Sequence, residues 1–137
     1  MIIPNLMITN MVRSIAFYRD LLGMNLTMMI SAERKILTRP QEEDAVFATL
    51  EWEKSQLMLQ TVKSLSQELS QFAADTTPSP SGTIYFRPMH PDTVLDRVNK
   101  EQIVKGPLQQ WYGMRELYLR DPDGYIICLG APEGSPP

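Results

Sequence analysis

With 137 residues, 43% of them hydrophobic and 21% charged, the chain is long enough to bury one sizeable core and too short for two independent ones, which excludes a disordered or fibrous polymer. A formal charge of -3 offers no positive field to a phosphate backbone, so nucleic acid is not an expected partner and a cationic small molecule is mildly favoured. Cys128 is the only cysteine, and neither a basic leader nor an apolar run of membrane length is present, so a cytoplasmic protein without a disulfide or a membrane partner is expected.

Ile2 to Thr9 is apolar and precedes a helix start, which suits a covered strand. Asn10 can cap the helix that follows, in which Met11, Ile15, Tyr18 and Leu22 recur at spacings of four, three and four, with Arg13 and Arg19 off the stripe and able to face water. Gly23 closes it. Three strands are predicted next, at Asn25 to Ser31, Asp44 to Trp52 and Ser55 to Thr61, the last two joined by a turn at Glu53-Lys54. Ser64 to Ala74 carries Leu65, Leu69 and Phe72 at helical spacing, and Asp75 to Gly82 then breaks all periodicity. The second half repeats the order: a strand at Thr83 to Arg87, a helix opening at His90-Pro91 with Val94, Leu95 and Val98 inward, and strands at Gln102 to Leu108, Arg115 to Arg120 and Tyr125 to Leu129. Asp121-Pro122-Asp123-Gly124 is a turn between the last pair, because proline presets one dihedral and glycine accepts positive φ.

Two fragments carry a resemblance. Asn10 to Met24, with its Phe17-Tyr18 pair and its Leu22-Gly23 end, looks like the first helix of vicinal-oxygen-chelate proteins, the glyoxalase/dioxygenase superfamily, and Arg120-Asp-Pro-Asp-Gly-Tyr-Ile-Ile127 looks like their last hairpin. Both lie at opposite ends of a stretch covering about residues 2 to 131. The resemblance implies one α+β domain of two βαβββ modules, about 2–62 and 83–131, joined by a connector at 63–82 and followed by a loose tail at 132–137. The modules form a curved mixed sheet with a concave cleft and helices outside, in a chain that usually forms a homodimer.

Many members hold a divalent metal with four His, Gln or Glu side chains, on the first and last strand of each module. In this chain those positions fall at Ile3 or Asn5, at Gln60, at Thr83, and at Cys128, where Asp-Pro-Asp-Gly-x-x-x-Glu would place a glutamate. Ile3 and Thr83 cannot replace histidine, and a lone thiolate suits soft metals, so neither a metal nor another cofactor is expected. His90, the only histidine, is read as a surface or capping residue. The start Ile3-Pro-Asn-Leu6 resembles the metal-free bleomycin-resistance branch, whose members bind a drug without transforming it.

If the family's ligand positions point into the cleft, Asn5, Met7, Phe47, Met58, Gln60 and Tyr85 belong to its lining, an apolar pocket with a few amides. Each methionine can equally be ordinary core filling. Trp111 and Tyr112, before a strand entering the cleft, offer a stacking face and a hydroxyl, against the alternative that Trp111 only covers the sheet end. Arg115 can meet an anionic ligand or form an ion pair with Glu116 or a neighbouring strand, and since strand neighbours face opposite ways, only one of Arg115 and Glu116 faces the cleft. The leading expectation is therefore a metal-independent protein that binds or sequesters an aromatic or cationic organic molecule. The rivals are a lyase, isomerase or dioxygenase with an atypical site, using cleft acids such as Glu116, and a regulatory module whose cleft is incidental.

Overall fold

The computed structural model describes residues 1–39 and 41–134. In its first unit, Met1–Pro78, strand β1 (Asn5–Ile8) leads to Asn10, whose side chain accepts the Arg13 N–H at 3.0 Å and so caps helix α1 (Met11–Ile15). The helix continues as a π-helical stretch, Ala16–Leu21, in which the Leu22 N–H reaches back to the Phe17 carbonyl. The predicted stripe of Met11, Ile15, Tyr18 and Leu22 is buried, and the wider turn brings Phe17 and Leu21 inward as well. Arg19 departs from its expected place in water. Its guanidinium pairs with Asp20 and with Glu42, the latter on a 3-10 turn at Gln41–Asp44.

Strands β2 (Asn25–Ser31), β3 (Ala45–Trp52) and β4 (Ser55–Thr61) follow. The sheet order is β1-β4-β3-β2, with β1 parallel to β4 and the rest antiparallel. Alternation buries Ala48, Leu50, Leu57 and Leu59 on one side of the sheet, and α1 contacts β3 and β4. Helix α2 spans Val62–Glu68, shorter than predicted and starting earlier, inside the expected connector. Thr61 caps it, but only Leu65 is buried while Leu69 and Phe72 stay exposed. A helix that short holds through packing, and without it the chain leaves helical geometry at Leu69.

The second unit, Ser79–Pro137, contains β5 (Thr83–Phe86), β6 (Ile103–Gln109), β7 (Met114–Arg120) and β8 (Ile126–Pro132) in the order β5-β8-β7-β6. Again the first and last strands are parallel neighbours. Two four-stranded mixed sheets with few helices make the fold α+β, as expected. The predicted second helix is reduced to a 3-10 turn at Pro91–Thr93, capped by the His90 imidazole, which accepts the Asp92 N–H at 3.2 Å. Asp92, Thr93, Asp96 and Asn99 favour local backbone bonds over helix, as when the Thr93 hydroxyl donates to the His90 carbonyl, and Leu95 remains exposed. At the Asp121 turn, Oδ1 accepts the N–H groups of Asp123 and Tyr125, both at 2.9 Å. Pro132 ends β8 and the Glu133 N–H donates to the Gly113 carbonyl, so neither is loose; residues 135–137 of the expected tail lie outside the described residues. Among the described residues no helix is long and apolar enough to cross a membrane.

Candidate functional site

In the first unit, register brings five of the predicted residues to one sheet face: Asn5 lies opposite Met58, and Met7 and Phe47 flank Gln60 on either side. Gln60 is buried, and its amide is fully engaged. Its Oε1 accepts from Asn5 Nδ2 at 2.9 Å, and its Nε2 donates to Ser64 Oγ at 2.9 Å and Glu68 Oε2 at 3.0 Å. Residues of α2 thus complete a position that the sequence assigns to β4 alone. Phe47 and Gln60 also line a cavity of about 890 Å³ whose other walls include Arg34, Lys63, Ser64 and Glu68.

The second unit carries a different arrangement. On the face that bears Tyr85, Cys128 and Tyr118 in register, β7 also presents Glu116, opposite Gly130. The Glu116 carboxylate has no exposed surface. Its Oε2 accepts from the Tyr85 hydroxyl, and its Oε1 accepts from the Tyr112 hydroxyl at 2.5 Å, the Tyr118 hydroxyl at 3.0 Å and Gln110 Nε2 at 3.1 Å. All four donors are neutral. No Lys, Arg or His side chain among the described residues pairs with it.

Two glycines make room for this. A Cβ at Gly130 would overlap the Tyr85 hydroxyl and lie 2.6 Å from its Cζ, so only glycine lets the ring of Tyr85 cross β8 to reach β7. Gly106, at φ +95°, sits on β6 where a Cβ would lie 2.7 Å from the Glu116 carbonyl oxygen.

Burial pushes the Glu116 pKa up, but the hydrogen bonds from Tyr112, Tyr85, Tyr118 and Gln110 outweigh it, and the net shift is downward. The carboxylate is therefore ionised. Desolvation, then the bond to Glu116, raises the pKa of Tyr85 and of Tyr118, and for Tyr112 the bond to Glu116 comes first. The three phenols stay protonated donors. Burial pushes the Cys128 thiol up to about 11, with Glu116 adding to the effect, so it is neither a thiolate nucleophile nor a ready ligand at neutral pH.

Other predicted residues fall elsewhere. Arg115 is on the face opposite Glu116, its Nε 3.3 Å from Asp92 on the 3-10 turn and 3.8 Å from Glu133 after β8, so its ion pairs are not the expected one with Glu116. Trp111 is 79% exposed and makes an edge-on contact with Tyr112, while Tyr112 itself points its hydroxyl into the cluster. Tyr118 and Gly130 were not legible as site residues. Alternation with Glu116 would have indicated Tyr118 once the facing of the Arg115-Glu116 pair was known.

The donors present do not fit the divalent metal that the resemblance associates with such folds. At the positions concerned, Asn5 and Gln60 are hydrogen-bonded to each other and the Gln60 amide is committed to three side chains, Thr83 on β5 offers only a hydroxyl, and Cys128 is a protonated, buried thiol. Among the described residues no group of three or more His, Cys, Asp or Glu side chains is placed to hold such an ion.

A family model described as Glyoxalase/Bleomycin resistance protein/Dioxygenase superfamily matches residues 4–129. Among solved structures, a protein of unknown function from Agrobacterium tumefaciens str. C58 is similar at 20% identity and a TM-score of 0.67, over 96% of this chain and 92% of that one. A glyoxalase/bleomycin resistance protein/dioxygenase from Nocardioides is 20% identical with a TM-score of 0.64, over 100% and 87%. A glyoxalase/bleomycin resistance protein/dioxygenase family enzyme from Burkholderia phytofirmans PsJN is 18% identical with a TM-score of 0.66, over 94% and 95%. At such identities the likeness shows the fold alone. No curated protein matches the chain.

Proposed function

We propose that this chain, which belongs to the Glyoxalase/Bleomycin resistance protein/Dioxygenase superfamily, binds a small cationic aromatic molecule on the tyrosine face of β5, β8 and β7. One observation carries the reading: Glu116 is a fully buried, ionised carboxylate surrounded by neutral donors only. Its negative charge is solvated but not cancelled, and burial spares it much of the screening that surface charges suffer. A cation about 6 Å away gains about 3 kcal/mol at an effective dielectric near 20. Tyr85 is 41% exposed and Tyr112 and Tyr118 are half-buried, so their rings supply the apolar and cation–π contacts such a ligand needs.

The same geometry favours binding over turnover. A general base needs a free lone pair and a pKa near the working pH, whereas Glu116 has four donors on its oxygens and a lowered pKa. Cys128 is held protonated. Sequestration, as in the metal-free bleomycin-resistance branch that the sequence resembles, then follows from mass action alone.

Calorimetric titration with benzyltrimethylammonium and with neutral benzyl alcohol tests this. The cation should bind at least tenfold more tightly, and Glu116→Gln should erase the preference while circular dichroism confirms the fold. Equal affinity for the two probes, or an unchanged preference in the folded variant, would overturn the proposal. Consumption of a probe during titration would return the question to catalysis.

A further inference from the structure

We infer that the tyrosine face discriminates among cations, taking a quaternary ammonium, which carries no N–H, in preference to a protonated amine of the same charge, with Tyr112 as the specificity-determining residue. The inference rests on the reading of Glu116 as the anchor of a cation and adds which kind of cation is admitted. Charge alone makes no such distinction. It comes from what Glu116 offers at contact.

An ionised carboxylate has about four acceptor sites on its two oxygens. Four donors already engage those of Glu116: the hydroxyls of Tyr112 and Tyr118 and the Gln110 amide on Oε1, and the Tyr85 hydroxyl on Oε2. The residue is also 0% exposed. A ligand N–H therefore reaches neither oxygen without expelling one of the protein's own donors. The negative charge acts through the rings, while the oxygens stay out of reach.

The rest of the face gives an N–H little in exchange. Tyr85 and Tyr118 flank Cys128 in register, and a neutral thiol is a weak acceptor. The three phenol oxygens and Gln110 Oε1 are neutral as well. A primary ammonium brings three donors and a strongly held hydration shell, which it would trade for neutral oxygens only. A trimethylammonium has no donor to leave unsatisfied and turns charged methyl groups toward the tyrosine rings. Both cations feel the same carboxylate, so the cost of dehydration decides between them.

The donor set also locates the selectivity. Tyr85 and Tyr118 belong to β5 and β7, whereas Gln110 and Tyr112 lie in the turn between β6 and β7. Tyr112 is half-buried, meets Trp111 edge-on and holds Oε1 with its hydroxyl, so its side chain covers that oxygen from the turn.

Benzylammonium, benzyldimethylammonium and benzyltrimethylammonium, all cationic at pH 7, are titrated calorimetrically beside neutral benzyl alcohol. Affinity should rise with methylation, and the trimethylated probe should bind at least tenfold more tightly than benzylammonium. Tyr112→Ala, which uncovers Oε1, should strengthen benzylammonium binding and cut the ratio to twofold or less. Tyr112→Phe keeps the ring over the oxygen and should retain a ratio of at least fivefold. Equal affinity for benzylammonium and benzyltrimethylammonium, both tighter than benzyl alcohol, would overturn this inference and leave the proposed function standing. Cations that bind no better than benzyl alcohol would overturn both. Benzylammonium binding that is not strengthened in folded Tyr112→Ala, or a ratio lost in Tyr112→Phe, would also overturn the inference; should Tyr112→Ala not fold, the parent series and Tyr112→Phe decide it.

Discussion

Replacing Gly130 by alanine inserts one methyl group, yet its effect should be transmitted through Tyr85. The new Cβ would overlap the Tyr85 hydroxyl and approach Cζ and Cε1 at 2.6 and 2.8 Å. Tyr85 is partly exposed, so the ring can swing outward and release the overlap, but its bond to Glu116 Oε2 is then lost. Losing a hydrogen bond to a buried carboxylate costs about 1.5–3 kcal/mol. Alanine recovers about 0.5–1 kcal/mol by restricting the unfolded chain, since the backbone at Gly130 is not in the left-handed region. The net loss should be about 1–2 kcal/mol, read as a fall of about 1 M in the urea midpoint at a slope near 1–2 kcal/mol/M. In a Tyr85→Ala background both obstacle and bond are absent, and Gly130→Ala should be neutral or slightly stabilising. The double-mutant cycle should therefore show coupling of about 1.5–3 kcal/mol. Equal destabilisation by Gly130→Ala in both backgrounds would refute the reasoning.

Three further outcomes are expected. Because the folded-state pKa of Glu116 is lowered, its stabilising contribution is present above the unfolded value of about 4.3 and is lost as pH falls through the folded one; Glu116→Gln should be less stable than the parent at pH 7 and show a shallower loss between pH 5 and 3 in urea titrations. Cys128, buried with its pKa near 11, should resist a chromogenic disulfide reagent at pH 8 in the folded protein and react fully in denaturant, whereas rapid native reaction would contradict its burial. Ser14 sits in α1 with a buried hydroxyl that has no partner among the described residues, so Ser14→Ala should raise stability by about 1 kcal/mol in thermal or urea unfolding.

The parts of the fold legible in the sequence are those governed by short-range periodicity. Period-two alternation placed β2 and β4 to the residue and put Met58 and Gln60 on one face, and the Met11, Ile15, Tyr18, Leu22 stripe placed the first helix. The two later helices misled because periodicity says which residues could be buried together, not whether anything is there to bury them. Leu69, Phe72 and Leu95 carry the pattern and remain exposed. At the site, Tyr85 and Tyr112 were recognisable as aromatic candidates, but the charge that organises them was not. Arg115 and Glu116 are adjacent, and alternation puts Arg115 on the side of the buried Leu117 and Leu119 and Glu116 on the side of Tyr118, but both sides of β7 carry buried residues, so the pattern alone does not say which side holds the site. Gly130 is meaningful only through a ring 45 positions earlier.

In each sheet the first strand made lies parallel beside the last, and that last strand is central. On a ribosome this order imposes a wait. When β5 emerges its partner does not yet exist, and about 50 residues, or roughly 2–10 s of synthesis at about 5–20 residues per second, separate it from completion of β8. Until then the nascent segment has only the β6–β7 hairpin to form, with Glu116 still hydrated and Tyr85 untethered. Arrival of β8 joins β5 to the β6–β7 hairpin and dehydrates the carboxylate in the same event, so the proposed affinity for a cation should appear abruptly with chain length, as a step and not as a gradual rise.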